Sequence, residues 1–330
     1  MKTQLIDSFN RKITSLRIAV TDKCNLRCIY CVSADETKFL ERSGILTFEE
    51  ITRLAQIIIG LGVNKIRLTG GEPLIRKDIP KLIKKLSQIE GLVDLSLTTN
   101  GVMLKNLAEE LYLAGLRRIN VSLDTLNPKK YTQLTRGDVL TKVLDGLDAA
   151  QKFGFSPIKI NVVAMRGFTE EDVWDFVHFA RIKGFQVRFI EFMPLDGDDS
   201  WGIEKVIPAE EIVHLINAVQ PVEPVDNIPA TASAKLYRFK DGIGEIGVVS
   251  SVSNPFCDNC NRIRLTADGK LRTCLFSLGE IDLKSLVRNR ANDQEIEEVI
   301  IEAVRNKERG HKINNESFVK PARNMSLIGG

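Results

Sequence analysis

Apolar and polar residues recur with two different periods along much of the chain. Runs with a period of two fall at 16–21, 65–70, 95–100, 118–124, 158–165 and 186–193. Between them lie amphipathic segments near 48–60, 79–89, 103–114, 139–153 and 169–183, whose apolar positions repeat at helical spacing. Strand alternating with helix over this length predicts a parallel α/β sheet with helices packed outside. Six such units suit an incomplete (βα)6 version of the TIM barrel, with an open doubly wound sheet as the alternative.

Side chains on a strand alternate faces. The first run sets Arg17, Ala19 and Thr21 against Leu16, Ile18 and Val20, and the second sets Lys65, Arg67 and Thr69 against Ile66 and Leu68. The third, fourth and fifth offer Ser96, Thr98 and Asn100, then Asn120, Ser122 and Asp124, then Lys159 and Asn161. Apolar faces belong under the helices, which leaves the polar faces to line an interior. A filled barrel interior is built of branched apolar side chains. A polar one predicts a wet cavity or a large polar ligand, because unpaired buried polar groups are costly. An antiparallel sheet with one face in solvent is the plainer alternative, but helices alternate with all the strand-like runs.

The stretch Gln220 to Ala234 is rich in Pro and small residues and reads as an irregular connection. It divides the chain into a partial barrel, 1–220, and a C-terminal extension, 221–330, that is expected to close the barrel. The extension carries strand-like runs near 235–250 and an amphipathic helix near 293–306.

Composition narrows the chemistry. A chain of 330 residues can bury a large core, and its net charge of +3 is too weak for a general nucleic-acid binder. No apolar run is long enough to predict a transmembrane helix, and the first residues lack the apolar core of a signal peptide, so a cytoplasmic location is expected. Thiols stay reduced there, so the six cysteines read as metal ligands rather than disulfides. The three histidines, His178, His214 and His311, stand near no hydrolase-type Ser or Cys motif. His311 falls in a polar tail.

The cysteines form two triplets. Cys24, Cys28 and Cys31, spaced Cys-x3-Cys-x2-Cys, follow the first strand-like run directly. Three thiolates can hold three corners of a cubic iron–sulfur cluster and leave one iron open to a substrate or cofactor. Cys257, Cys260 and Cys274 form the second triplet. Their spacing suits either a structural zinc site completed by His311 or another group, or a second open cluster; the first triplet favours the cluster. Arg262 and Arg264 follow Cys260 and project to one side of an extended segment. Two guanidiniums beside a metal suit a phosphate-bearing ligand, and Arg17, Arg67 and Lys159 add cations to the same interior. Gly70-Gly-Glu-Pro73 ends the second strand, where ligands of parallel α/β sheets bind. Its glycines predict close approach of a ligand to the backbone, and Glu72 is a candidate to receive an ammonium group.

The first triplet after one strand and Gly-Gly-Glu-Pro after the next resemble the radical S-adenosylmethionine superfamily. The segment Cys257-Asp-Asn-Cys-Asn-Arg-Ile-Arg-Leu-Thr-Ala-Asp-Gly-Lys-Leu-Arg-Thr-Cys274 and the terminal Gly329-Gly330 narrow the resemblance to the GTP 3′,8-cyclase family of molybdenum cofactor synthesis. One departure is Val32-Ser33, where that family commonly has Met-Pro. The resemblance implies two 4Fe–4S clusters. One, on Cys24, Cys28 and Cys31, would hold S-adenosylmethionine, with Tyr30, Gly71, Ser122 and Met193 contacting that cofactor. The other, on Cys257, Cys260 and Cys274, would hold the guanine of GTP. Arg17, Arg67, Thr98, Lys159, Arg262 and Arg264 would bind GTP. Arg17, Arg262, Arg264, Gly329 and Gly330 would serve catalysis. A protein reductant such as flavodoxin or ferredoxin, transfer of the product to cyclic pyranopterin monophosphate synthase, and a homodimer are further expectations, without nucleic-acid or membrane partners. A radical peptide-modifying enzyme and a zinc-stabilised nucleic-acid-binding module are the alternatives.

Overall fold

The computed structural model describes residues 4–32, 39–197 and 200–329. Ser33 and Gly330 lie outside the described residues.

Six strands alternate with helices: β1 (Ser15–Ala19), α1 (Phe48–Gly60), β2 (Lys65–Thr69), α2 (Ile79–Ser87), β3 (Asp94–Thr99), α3 (Leu104–Leu113), β4 (Arg118–Ser122), α4 (Pro128–Thr135), α5 (Leu140–Lys152), β5 (Ile158–Ala164), α6 (Val173–Lys183) and β6 (Gln186–Glu191). Then come α7 (Ala209–Val219), β7 (Val222–Pro224), β8 (Lys235–Phe239), β9 (Glu245–Val249), β10 (Arg262–Leu265), β11 (Lys270–Arg272), β12 (Ile281–Asp282), α8 (Leu283–Arg288), α9 (Asp293–Arg305) and α10 (Met325–Ile328). The expected strands fall within a few residues of β1 to β6. The connection after Gln220 is less irregular than its composition predicts, because its start forms β7. Proline is tolerated there because β7 is an edge strand.

All strands join one 12-stranded sheet, ordered β12-β11-β10-β1-β2-β3-β4-β5-β6-β9-β8-β7. Its centre is parallel from β10 through β1 to β6 and on to β9. The C-terminal third therefore adds a parallel strand to each side of the six-strand core. The outermost pairings are antiparallel, so the fold is α/β with a large mixed sheet.

The predicted alternation of faces holds. Leu16, Ile18, Ile66, Leu68, Ile119, Val121, Ile160 and Val187 are buried in one core with Leu54 and Ile58 of α1, Leu82 of α2, Leu111 of α3, Val143 of α5 and Phe176 of α6. Each such side chain contributes about 1.5–3 kcal/mol on burial. The helices thus take the apolar face of the sheet and leave the other face to a cavity. Laid flat, eight strands would span roughly 34 Å at the usual strand spacing. Yet Val249 of β9 and Arg264 of β10, on opposite sides of the parallel array, line the same cavity. The sheet is therefore strongly curved around it.

Candidate active site

Beyond β1 the chain turns across the end of β2 as the loop carrying the first triplet. Gly70 has a φ of 144°, and a Cβ there would stand 2.3 Å from the Thr21 carbonyl oxygen; one on Gly71 would stand 2.3 Å from that of Lys23. Without side chains, Gly71 N donates to Thr21 O at 2.7 Å and Glu72 N to Lys23 O at 2.8 Å. The glycines thus admit the protein's own cysteine loop, and both also line the cavity, where the sequence predicted the approach of a ligand. For Glu72 the structure shows a bracing role. Its buried carboxylate accepts from Asn100 N (2.6 Å), Thr99 Oγ1 (2.7 Å) and Leu74 N (2.9 Å). It braces the ends of β2 and β3 and is not among the residues that line the cavity. Burial, against these hydrogen bonds, raises its carboxyl to about 7.

Cys24, Cys28 and Cys31 all line the cavity. Burial first, and then neighbouring negative charge, raises each thiol: Cys31 to about 12, Cys28 well above its ordinary value, and Cys24 in the same direction. A cationic metal group would reverse this by deprotonating its ligands. Beside them the Tyr30 hydroxyl donates to Asp124 Oδ2 at 2.6 Å, and Val163 N donates to Asp124 Oδ1 at 2.8 Å. Tyr30 is therefore fixed from the ends of β4 and β5.

The second triplet lines the same cavity. Cys257 and Cys260 bracket a single helical turn before β10, and Cys274 follows β11. Gly310 makes room for the first of them, since a Cβ there would stand 2.7 Å from Cys257 Cβ. Buried Lys307 donates to Arg262 O at 3.2 Å and to Thr273 O. Burial would raise the Cys260 thiol, but Arg262 and Lys307 outweigh it and bring it to about 7. Cys257 and Cys274 are raised, chiefly by burial. Among the described residues no three His, Cys, Asp or Glu side chains converge on a single ion. Three thiolates are the donor set that a cubic iron–sulfur cluster with one open iron takes, and each triplet supplies three.

Between the triplets runs a row of cations. Arg17 is in register with Arg67 on β2 and Arg264 on β10. Burial, then Arg264, Arg67 and Arg262, holds Arg17 well below the ordinary arginine value. Burial brings Arg67, Arg188 and Arg264 to about 10. Thr98 Oγ1 and Arg262 Nη2 are buried with no hydrogen-bond partner. Crowded cations and orphaned polar atoms facing one cavity call for a polyanionic, hydrogen-bonding ligand.

The C-terminal tail enters this site. Arg264 Nη1 donates to Gly329 O at 2.5 Å. Gly329 has a φ of 85°, and a Cβ on it would stand 2.8 Å from Thr69 Cγ2 and 3.0 Å from Ala19 Cβ. The tail therefore lies against the ends of β1 and β2, where only glycine fits.

Of the sequence-predicted residues, all six cysteines line the cavity with Arg17, Tyr30, Arg67, Gly71, Thr98, Ser122, Met193, Arg262 and Arg264. Lys159 is not among the lining side chains. It pairs in register with Asn120 and Gln186, one step deeper on β5 than the lining residue Asn161. Arg188 was missed, although the alternation of 186, 188 and 190 along its strand would have placed it inside. His311 is half-buried against the cavity rather than in a solvated tail, with its ring 5.2 Å from that of Phe276. Lys307 gave no signal at all, because nothing in the local pattern marks a buried lysine.

Residues 18–180 match the Radical SAM superfamily and residues 185–313 match Molybdenum Cofactor Synthesis C. The GTP 3′,8-cyclase of Alkaliphilus oremlandii (strain OhILAs) is 42% identical over 324 residues, covering 98% of this chain and 99% of that protein. The chain belongs to the GTP 3′,8-cyclase family. Another family member, from Moorella thermoacetica (strain ATCC 39073 / JCM 9320), is 45% identical over 324 residues, with 98% of this chain and 99% of that protein covered. Among solved structures, Streptococcus suis SuiB bound to S-adenosylmethionine shares the fold, with a TM-score of 0.63 at 15% identity, over 88% of this chain and 69% of SuiB. Family membership makes this a radical enzyme of molybdenum cofactor synthesis that uses an iron–sulfur cluster and S-adenosylmethionine. It leaves no support for the non-catalytic zinc module or the peptide-modifying alternative. Among the described residues no helix is long and apolar enough to cross a membrane.

Proposed function

We propose that this cyclase binds S-adenosylmethionine and GTP in one cavity, each against its own cysteine triplet. The observation that carries the reading is the single cavity itself, lined by both triplets and by Arg17, Arg67, Arg262 and Arg264 from three adjacent strands. Cys24, Cys28 and Cys31 would hold one 4Fe–4S cluster and Cys257, Cys260 and Cys274 a second. When bound, the first cluster would supply the electron that cleaves S-adenosylmethionine to methionine and a 5′-deoxyadenosyl radical able to take the ribose 3′ hydrogen of GTP; C3′ would then bond to C8, and a further electron from the reductant with a proton would give the closed-shell product.

The chain's residues bind, orient and enclose. Tyr30, Gly71, Ser122 and Met193 would seat S-adenosylmethionine. Arg17, Arg67, Lys159, Arg262 and Arg264 would take the triphosphate and base, joined by Arg188, with Thr98 donating its free hydroxyl. Arg17, Arg262, Arg264, Gly329 and Gly330 would border the reacting ribose, and the tail would exclude water from it. In this reading β1 to β6 are an incomplete barrel closed by the C-terminal segment. The division at 220/221 separates the segment that would hold the first cluster and S-adenosylmethionine from the one that would hold the second cluster and the Gly-Gly tail, while GTP would be held by residues from both. A flavodoxin or ferredoxin as reductant, product transfer to cyclic pyranopterin monophosphate synthase, a homodimer and a cytoplasmic location complete the proposal.

Anaerobic protein with reconstituted iron and sulfide tests it. Given reductant, S-adenosylmethionine and GTP, it should form 5′-deoxyadenosine together with a cyclised nucleotide. Iron should approach about eight per chain. No 5′-deoxyadenosine, or about four irons with full activity, would overturn the two-cluster reading.

A further inference from the structure

The tail that reaches the cavity is held by a charged network outside it. Arg323, just before α10, donates to Asp268 Oδ1 from Nη1 at 3.0 Å and to Oδ2 from Nη2 at 2.8 Å. Its Nε lies 2.8 Å from Glu280 Oε1. Asp268 sits in the β10–β11 turn and accepts from Thr266 Oγ1 at 2.6 Å, so this fork is anchored to the strand pair that bears Arg264. The same Glu280 oxygen also accepts from Arg272 Nη1. Arg272 is buried, and its Nη2 donates to Leu275 O at 3.2 Å and Ser277 O at 2.5 Å, the carbonyls directly after Cys274.

We propose that Arg323, Asp268, Glu280 and Arg272 form a latch that seats the tail and couples its seating to the shape of the Cys274 loop. Two cations and two carboxylates alternate in the order Asp268, Arg323, Glu280, Arg272, so removal of Arg323 leaves buried Asp268, and removal of Glu280 leaves buried Arg272, without its opposite charge. Glu280 is the shared joint: a Cys274 loop out of shape moves Arg272, which frees the carboxylate that holds Arg323. Release of Arg323 would in turn withdraw Gly329 O from Arg264. These are positioning residues, since none of them lines the cavity. The latch stands on geometry alone, so a failure to bind GTP would sink the substrate reading without affecting it.

Amide hydrogen exchange on the anaerobically reconstituted full chain tests the proposal. The tail amides of Met325, Ile328 and Gly329 donate to Leu195 O, Asn324 O and Met325 O. Arg323→Gln and Glu280→Gln should each speed exchange there by about tenfold or more, as expected for loss of a charged hydrogen bond. Arg323→Gln should also speed exchange at residues 274–277, and α9 should keep its protection. The double variant should match the stronger single, and Arg323→Lys should restore part of the protection. If Arg323→Gln does not fold, Asp268→Asn should give the same tail-specific effect. An unchanged tail, loosening of α9 by the same factor, indifference at 274–277, or additive single effects would overturn the latch.

Discussion

Lys159 shows how a single residue beneath the lining of this cavity can report its ligand. Burial, then Arg188, Arg118 and Arg67, brings its ammonium to about 7. In the unfolded chain a lysine titrates near about 10.4. Between those values the unfolded state holds more protons, so this group makes the empty protein more stable as pH rises through that window. A triphosphate beside Lys159 favours the ammonium, and GTP binding above pH 7 should therefore take up a proton. Calorimetry should show GTP affinity falling between about pH 7 and 9, with a shallower fall in Lys159→Met. An equal slope in both proteins would place Lys159 away from the triphosphate. The polar parity of β5 made this residue legible. Its depth below the lining was not, because parity gives a face and no position along a closed wall.

At the scale of elements, the decisive contact is between the ends of β1 and β2. The cysteine loop crosses Gly70 and Gly71 within direct backbone hydrogen-bond distance. Gly71→Ala would drive a methyl group into Lys23 O and lift the loop from β2. Reconstituted Gly71→Ala should lose most of the iron held by the first triplet, falling toward about four per chain while the second remains. Full iron would contradict this account of the glycine pair. The motif itself was plain in the sequence, but its physical role was not. A Gly-Gly pair announces a close approach without naming what approaches, and here the partner lies more than forty residues away in the chain. The bracing role of Glu72 was hidden for the same reason, since its hydrogen-bond partners Thr99 and Asn100 lie at the end of the next strand.

At the scale of the molecule, the C-terminal third supplies both a second triplet and the two strands that flank the parallel core. The six strands of the core, their inner face and most of their helices could be read from periodicity, because those signals are local; α4 was not, because its eight residues carry too little of the repeat. The pairing of β10 with β1 and of β9 with β6 could not, because strand partners distant in sequence carry no periodic trace. That pairing brings the two triplets to one cavity, and the proposed function gives them separable roles. Cys24→Ala should abolish cleavage of S-adenosylmethionine, whereas Cys274→Ala should impair cyclisation and leave some uncoupled 5′-deoxyadenosine. Equal loss of 5′-deoxyadenosine in both would argue against a division of labour. The most direct test of the central claim, that both ligands meet in this one cavity, is turnover with GTP deuterated at the ribose 3′ position. The account predicts that 5′-deoxyadenosine carries that deuterium in step with formation of the cyclised nucleotide. Deuterium retained in GTP while 5′-deoxyadenosine accumulates unlabelled would contradict it.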